Sequence, residues 1–118
     1  MSESPSPALL PEHLRRLAAA VPAAGTADLE ARLEALHSLC YQDGWVASFD
    51  WAAWKQSPEA ISLRDDRAAL AAAAPEQLRK LLTTLMRQER FCEGTLAEAA
   101  ASGLLAAIGA RAGRLAAG

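Results

Sequence analysis

The chain has 118 residues, enough for one domain and too few for two. Twelve basic and 14 acidic residues leave a formal net charge of −2, which argues against a dedicated nucleic-acid binder. Hydrophobic residues make up 52% of the chain, and much of that share is alanine, the strongest helix former. The composition therefore predicts an all-α, single-domain bundle of five or six short helices over residues 8–118. Its core is thin in large side chains, so the few large ones carry more weight. The polar, proline-rich start MSESPSP predicts a disordered tail over residues 1–7.

Two cysteines, Cys40 and Cys92, lie far apart with no CxxC, so neither a disulfide framework nor a zinc site is expected. The N-terminus lacks a basic-then-apolar signal pattern, and the longest uncharged run, Ala99–Ala110, is too short to span a bilayer. A cytoplasmic protein with no membrane segment is expected. Charge is unevenly spread: residues 26–66 hold eight acids and three bases, whereas residues 67–92 hold five bases and two acids. Solvated faces of amphipathic helices account for such a split, and so do two complementary surfaces.

Pro11 suits the first turn of a helix ending near Val21, with Leu14 and Leu17 as its apolar contacts. A break follows at Pro22–Gly25. Thr26 is the expected N-cap of the next helix, with Asp28 and Glu30 in its first turn. Leu29, Leu33, Leu36 and Cys40 form a core-facing stripe, and Asp43-Gly44 is a stop signal. Trp45–Phe49 reads as extended. Asp50 is a natural N-cap for a turn through Trp51 and Trp54, and Phe49 and Trp54 are spaced as a hydrophobic staple. Ser57-Pro58 reads as another start, and Arg67–Ala74 as helical by propensity alone.

Pro75 opens the main helix, in which Leu78, Leu81, Leu82, Leu85 and Met86 complete an amphipathic stripe. Arg79, Lys80, Thr83, Thr84, Arg87 and Gln88 are expected on its other faces. The helix should end near Phe91 because Gly94 interrupts. Thr95-Leu96-Ala97-Glu98 reads as a capping box, and Ser102-Gly103 as a kink or a C-cap. Leu105, Ile108, Ala112 and Leu115 then share one face of the last helix, which Gly109 and Gly113 should weaken by about 1 kcal/mol each. The helices over 75–91 and 95–116 are expected to form a hairpin-like pair, crossed by the 28–41 helix and the tryptophan segment.

Two constellations carry chemistry. The turn Arg87–Gly94 has a structural reading, in which Phe91 plugs the core and Arg87 or Arg90 pairs with Glu93. It also has a functional one: two arginines converge on a helix start with free N–H groups at Thr95 and Leu96, an anion or nucleotide site. The segment from Phe49 to Trp54 is either core filling or a ledge of Trp51 and Trp54 on which a base or peptide stacks, with Asp50 as acceptor. A Cys92–His37 catalytic pair is conceivable, but nothing in the sequence fixes their distance. His13 reads as exposed, and no metal site or cofactor is expected. A helix-turn-helix across residues 96–110 would lack base-reading side chains in its second helix.

FDWAAW and the segment from Leu78 to Ile108 together resemble a family of small bacterial proteins that share a domain of unknown function. Its pattern is FDWxxW, LRKLLTxLxRxxRF and EGxLxxAxxSGxLxxI. The matching positions are Phe49, Asp50, Trp51 and Trp54, then Leu78 to Phe91, then Glu93, Gly94, Leu96, Ala99, Ser102, Gly103, Leu104 and Ile108. The resemblance covers about the last 70 residues. It implies a large aromatic near Ala100 or Ala101, and alanine there implies looser packing of the last two helices or compensation elsewhere. It implies no established activity. An association of similar domains with ADP-ribose-handling macro domains would suit an arginine-lined anion site.

The sequence thus leans away from an enzyme and toward a non-catalytic binding or interaction module. Its candidate surface comprises Arg87, Arg90, Glu93, Asp50, Trp51 and Trp54. A small anionic, nucleotide-like (ADP-ribose-like) ligand is the alternative. Partner docking or self-association through an uncovered apolar face over residues 104–115 is a further expectation.

Overall fold

A computed structural model describes residues 8–23 and 25–118, so the expected tail over 1–7 lies outside the described residues. Among those described, the chain forms eight helices and no strand, more than the five or six expected. They are α1 (Pro11–Ala20), α2 (Leu29–Gln42), α3 (Trp51–Trp54), α4 (Pro58–Asp65), α5 (Arg67–Ala71), α6 (Pro75–Glu89), α7 (Thr95–Ala101) and α8 (Leu104–Ala117). The surplus has local causes. Asp50, Ser57 and Asp66 each accept a backbone N–H two or three residues on, and each starts its own short helix. Of the kink or C-cap readable at Ser102-Gly103, the structure has the C-cap: Ser102 ends α7, and Gly103, at φ 85°, separates it from α8.

Helix α2 starts later than expected. Its N-cap is Asp28, at φ 56°, while the Thr26 hydroxyl donates back to the Ala23 carbonyl. Its end matches the Asp43-Gly44 signal. With Gly44 at φ 82°, the Trp45 N–H donates to the Cys40 carbonyl at 2.9 Å, the long bond of a Schellman motif. That turn drops Trp45 into the core, where it is fully buried. The extended reading of Trp45–Phe49 gives way to an irregular segment without strand pairing.

Helix α6 is the axis of the fold. The expected stripe of Leu78, Leu81, Leu82, Leu85 and Met86 is buried, but so are Arg79, Thr83 and Thr84, which were expected on exposed faces. Elements pack around most of this helix, so a one-sided pattern understates its burial. The Thr83 hydroxyl reconciles its polarity with burial: it accepts from the Ala47 N–H at 2.9 Å and lies 2.8 Å from the Arg79 carbonyl. Arg79 extends to the exposed Glu76 at 3.5 Å.

Helix α8 does not pair chiefly with α6. It lies along α1, with α5 beside it. Gly109 explains the closeness: a Cβ there would sit 2.1 Å from Val21 Cγ2. Leu104, Leu105, Ile108 and Ala112 are buried and Leu115 packs against the same core, so the apolar face over 104–115 is covered within the chain and offers no docking surface. Arg111 Nε donates to the Ala73 carbonyl at 2.7 Å and Arg114 Nη2 to the Ala71 carbonyl at 3.4 Å, closing the end of α5. Ala100 is itself buried, so the position expected to hold an aromatic is closely surrounded despite its small side chain.

Candidate functional site

The turn between α6 and α7 is built around one carboxylate. Glu89, the last residue of α6, accepts from the Leu96 N–H at 2.8 Å and the Gly94 N–H at 3.1 Å. The Thr95 N–H and hydroxyl both turn back to the Cys92 carbonyl. The N-terminus of α7 therefore carries the chain's own anion, and the free N–H groups expected at Thr95 and Leu96 are taken. The expected capping box is replaced as well, since Gly94 (φ 100°) rather than Thr95 is the N-cap.

Anchoring the turn this way throws Phe91 outward. Expected in the core, Phe91 is 78% exposed, the most open large apolar side chain among the described residues. The reason is positional. Phe91 lies two residues beyond the last residue of α6, past the Arg90 C-cap, so the helical period no longer governs its direction. Its ring lies over Trp51, with centroids 6.4 Å apart and planes 23° from parallel. Lys55 Nζ approaches the Trp51 ring at 5.7 Å.

The sequence-derived site residues do not share one place. Trp51, Arg87 and Arg90 come together, and with Ala47, Ser48, Phe49 and Phe91 they line a cleft of about 280 Å³. Arg87 reaches this cleft from α6 while its guanidinium stacks over Tyr41 at 5.7 Å. Trp54 faces away. Its ring meets Phe49 edge-on at 6.0 Å, and its Nε1–H donates to Glu59 at 2.7 Å. The staple expected for Phe49 and Trp54 is therefore present. Asp50 spends its carboxylate on the Ala53 N–H at 3.1 Å, as a cap. Glu93 sits on the other side of the turn and forms no ion pair with Arg87 or Arg90 among the described residues.

Glu93 instead borders a groove of about 650 Å³ between α2 and α7, with Glu30 and Glu34 on the opposite bank. Leu29, Leu33 and Leu96 form its floor. His37 and Ser38 belong both to this groove and to a shallow trough that continues past Tyr41 and Gln42 to Arg90. Sequence reasoning missed Glu30, Glu34 and Tyr41. The i, i+4 spacing of Glu30 and Glu34, one position after Leu29 and Leu33, was the available signal.

His37 packs its ring against Tyr41, with centroids 4.8 Å apart, while Cys92 is exposed on the turn. Burial, with help from Asp43, pushes the Cys40 thiol up to about 12, so it stays a protonated core residue. Among the described residues no three His, Cys, Asp or Glu side chains are grouped to hold a metal ion, and no helix is long and apolar enough to cross a membrane.

A family model described as a family of unknown function (DUF6508) matches residues 16–118. The chain belongs to that family. No curated protein and no solved structure matches it. The match takes in every helix from α2 to α8, the second half of α1, and the whole aromatic and arginine cleft. It brings no activity.

Proposed function

We propose that this protein is a non-catalytic interaction module that grips its partner with the turn after α6. The observation that carries the reading is Phe91: a phenylalanine 78% exposed and stacked on Trp51, flanked by Arg87 and Arg90. Aromatic and arginine side chains are enriched at protein interfaces and supply many of their energetic anchors, because they bury a large area and pair with partner groups in desolvated pockets. An exposed aromatic so placed gains on the order of 2 kcal/mol when a partner covers it. The two guanidiniums select partners bearing carboxylates beside the apolar contact.

The experiment is capture from cell extract by the wild-type chain, compared with Phe91→Ala and Arg90→Glu. A protein retained by the wild type and lost by both variants supports the reading. A set of retained proteins identical in all three counts against it.

A second reading draws on the cleft itself. A space of about 280 Å³ between a tryptophan face and two arginines suits a planar ring joined to a phosphate, the chemistry of a nucleotide or ADP-ribose-like ligand. Against it, Glu89 already fills the backbone donors at the α7 N-terminus. A thermal-shift screen with nucleotides decides: saturation at about 100 times Kd adds roughly 2.7 kcal/mol, and Arg90→Ala should remove the shift.

A further inference from the structure

The turn after α6 separates two surfaces of opposite character that lie side by side. On one side Arg87, Arg90 and Trp51 line a basic, aromatic cleft, from whose edge the exposed Phe91 projects. On the other, Glu30, Glu34 and Glu93 rim a groove floored by Leu29, Leu33 and Leu96. The trough of His37, Ser38, Tyr41, Gln42 and Arg90 joins them. Among the described residues, none of these acids pairs with Arg87 or Arg90 within the chain. Arg90 and Glu93 are only three residues apart, yet Arg90 lines the cleft and the trough while Glu93 lines the groove.

We propose that the occupant of this groove is a second copy of the chain, docked about a two-fold axis that passes through the joining trough. This names the partner for the interaction reading above and rests on it. A surface that carries a projection and its complement next to each other is self-complementary under a two-fold rotation. Phe91 and Arg90 of one copy enter the leucine-floored groove of its mate, and the mate's Phe91 and Arg90 return the contact. The apolar ring meets the apolar floor, the guanidinium meets the Glu30 and Glu34 carboxylates, and both like-charged clusters are neutralised at once. The symmetry closes the assembly at two copies.

The test is sedimentation equilibrium of the full chain and its charge-reversal variants over a wide concentration range. The wild type is expected as a monomer–dimer equilibrium weakened by salt. Arg90→Glu and Glu34→Lys each place like charges across the interface twice. Each alone should weaken dimerisation on the order of a hundredfold. Mixed in equal amounts, the two variants carry complementary charges at both halves of the interface and should form a heterodimer of near wild-type affinity.

A structural defect in either variant would not be repaired by mixing, so that recovery isolates the contact. A wild type that stays monomeric throughout, a dimer indifferent to both reversals, or growth beyond two copies would overturn the proposal. A monomeric wild type whose Phe91-dependent capture of another protein persists would overturn self-docking alone and leave the interaction surface standing.

Discussion

The Glu89 carboxylate accepts the Leu96 N–H at 2.8 Å, across the turn that joins α6 to α7. One side chain thereby ends one helix, starts the next and sets the direction of everything between them. Glu93, four residues later, is exposed and makes no such bond among the described residues. Glu89→Ala should lower stability by about 1 to 2 kcal/mol, the usual cost of losing a charged cap. Glu93→Ala should stay within about 0.5 kcal/mol of wild type. Urea unfolding of both variants checks the contrast.

Two glycines in α8 should answer alanine with opposite signs. At Gly113 a Cβ would meet Ala18 Cβ at 3.8 Å, an ordinary contact. Gly113→Ala should therefore gain up to about 1 kcal/mol of helix propensity. At Gly109 a Cβ would fall 2.1 Å from Val21 Cγ2, and the partly buried, β-branched valine has little freedom to yield. Gly109→Ala should be net destabilising, by about 1 kcal/mol or more. Pairing it with Val21→Ala should show a coupling on the order of 1 kcal/mol in a double-mutant cycle.

Thr83 ties the tryptophan segment to the core. Its fully buried hydroxyl accepts the Ala47 N–H, and Val would keep the shape while leaving that donor unpaired. Thr83→Val should cost about 1 to 3 kcal/mol. The denaturation midpoint should fall with an unchanged m-value, since the surface buried on folding stays the same.

Glu59 links three helices, accepting from Trp54 Nε1 on α3 at 2.7 Å and from Gln77 Nε2 on α6 at 3.1 Å. Those two bonds, with Lys80 nearby, hold its carboxyl below the ordinary value of 4.5. In the unfolded chain the group takes up its proton first as the pH falls. Its stabilising contribution is therefore complete above 4.5 and is lost as the pH drops through the lower folded value. Denaturation of wild type and Glu59→Gln between about pH 3 and 6 should give curves that converge toward acid.

Much of the helical framework was legible because its signals are local. Asp50, Ser57-Pro58, Asp43-Gly44 and Pro75 act within a few residues, and each marks an element boundary where expected. Burial that depends on distant partners was not legible. Thr83 looks like a surface residue until Ala47, 36 positions away, is brought against it. The covered face of α8 depends on α1, and nothing local to Gly109 announces Val21. At the candidate site, Arg87, Arg90 and Trp51 were expected together and share one cleft. Phe91 turned outward and Glu89, given no role by the sequence, anchors the turn, because the periodicity that sorts inside from outside ends at the last turn of α6.

Replacing Phe91 with p-benzoylphenylalanine and irradiating living cells tests the interaction surface most directly. The account expects a discrete adduct at position 91 that the same replacement at exposed Ala52 does not give. An adduct at twice the chain mass would identify a second copy, and another mass a different protein. No adduct at position 91, or the same diffuse set at both positions, would contradict the claim that this exposed ring is an anchor.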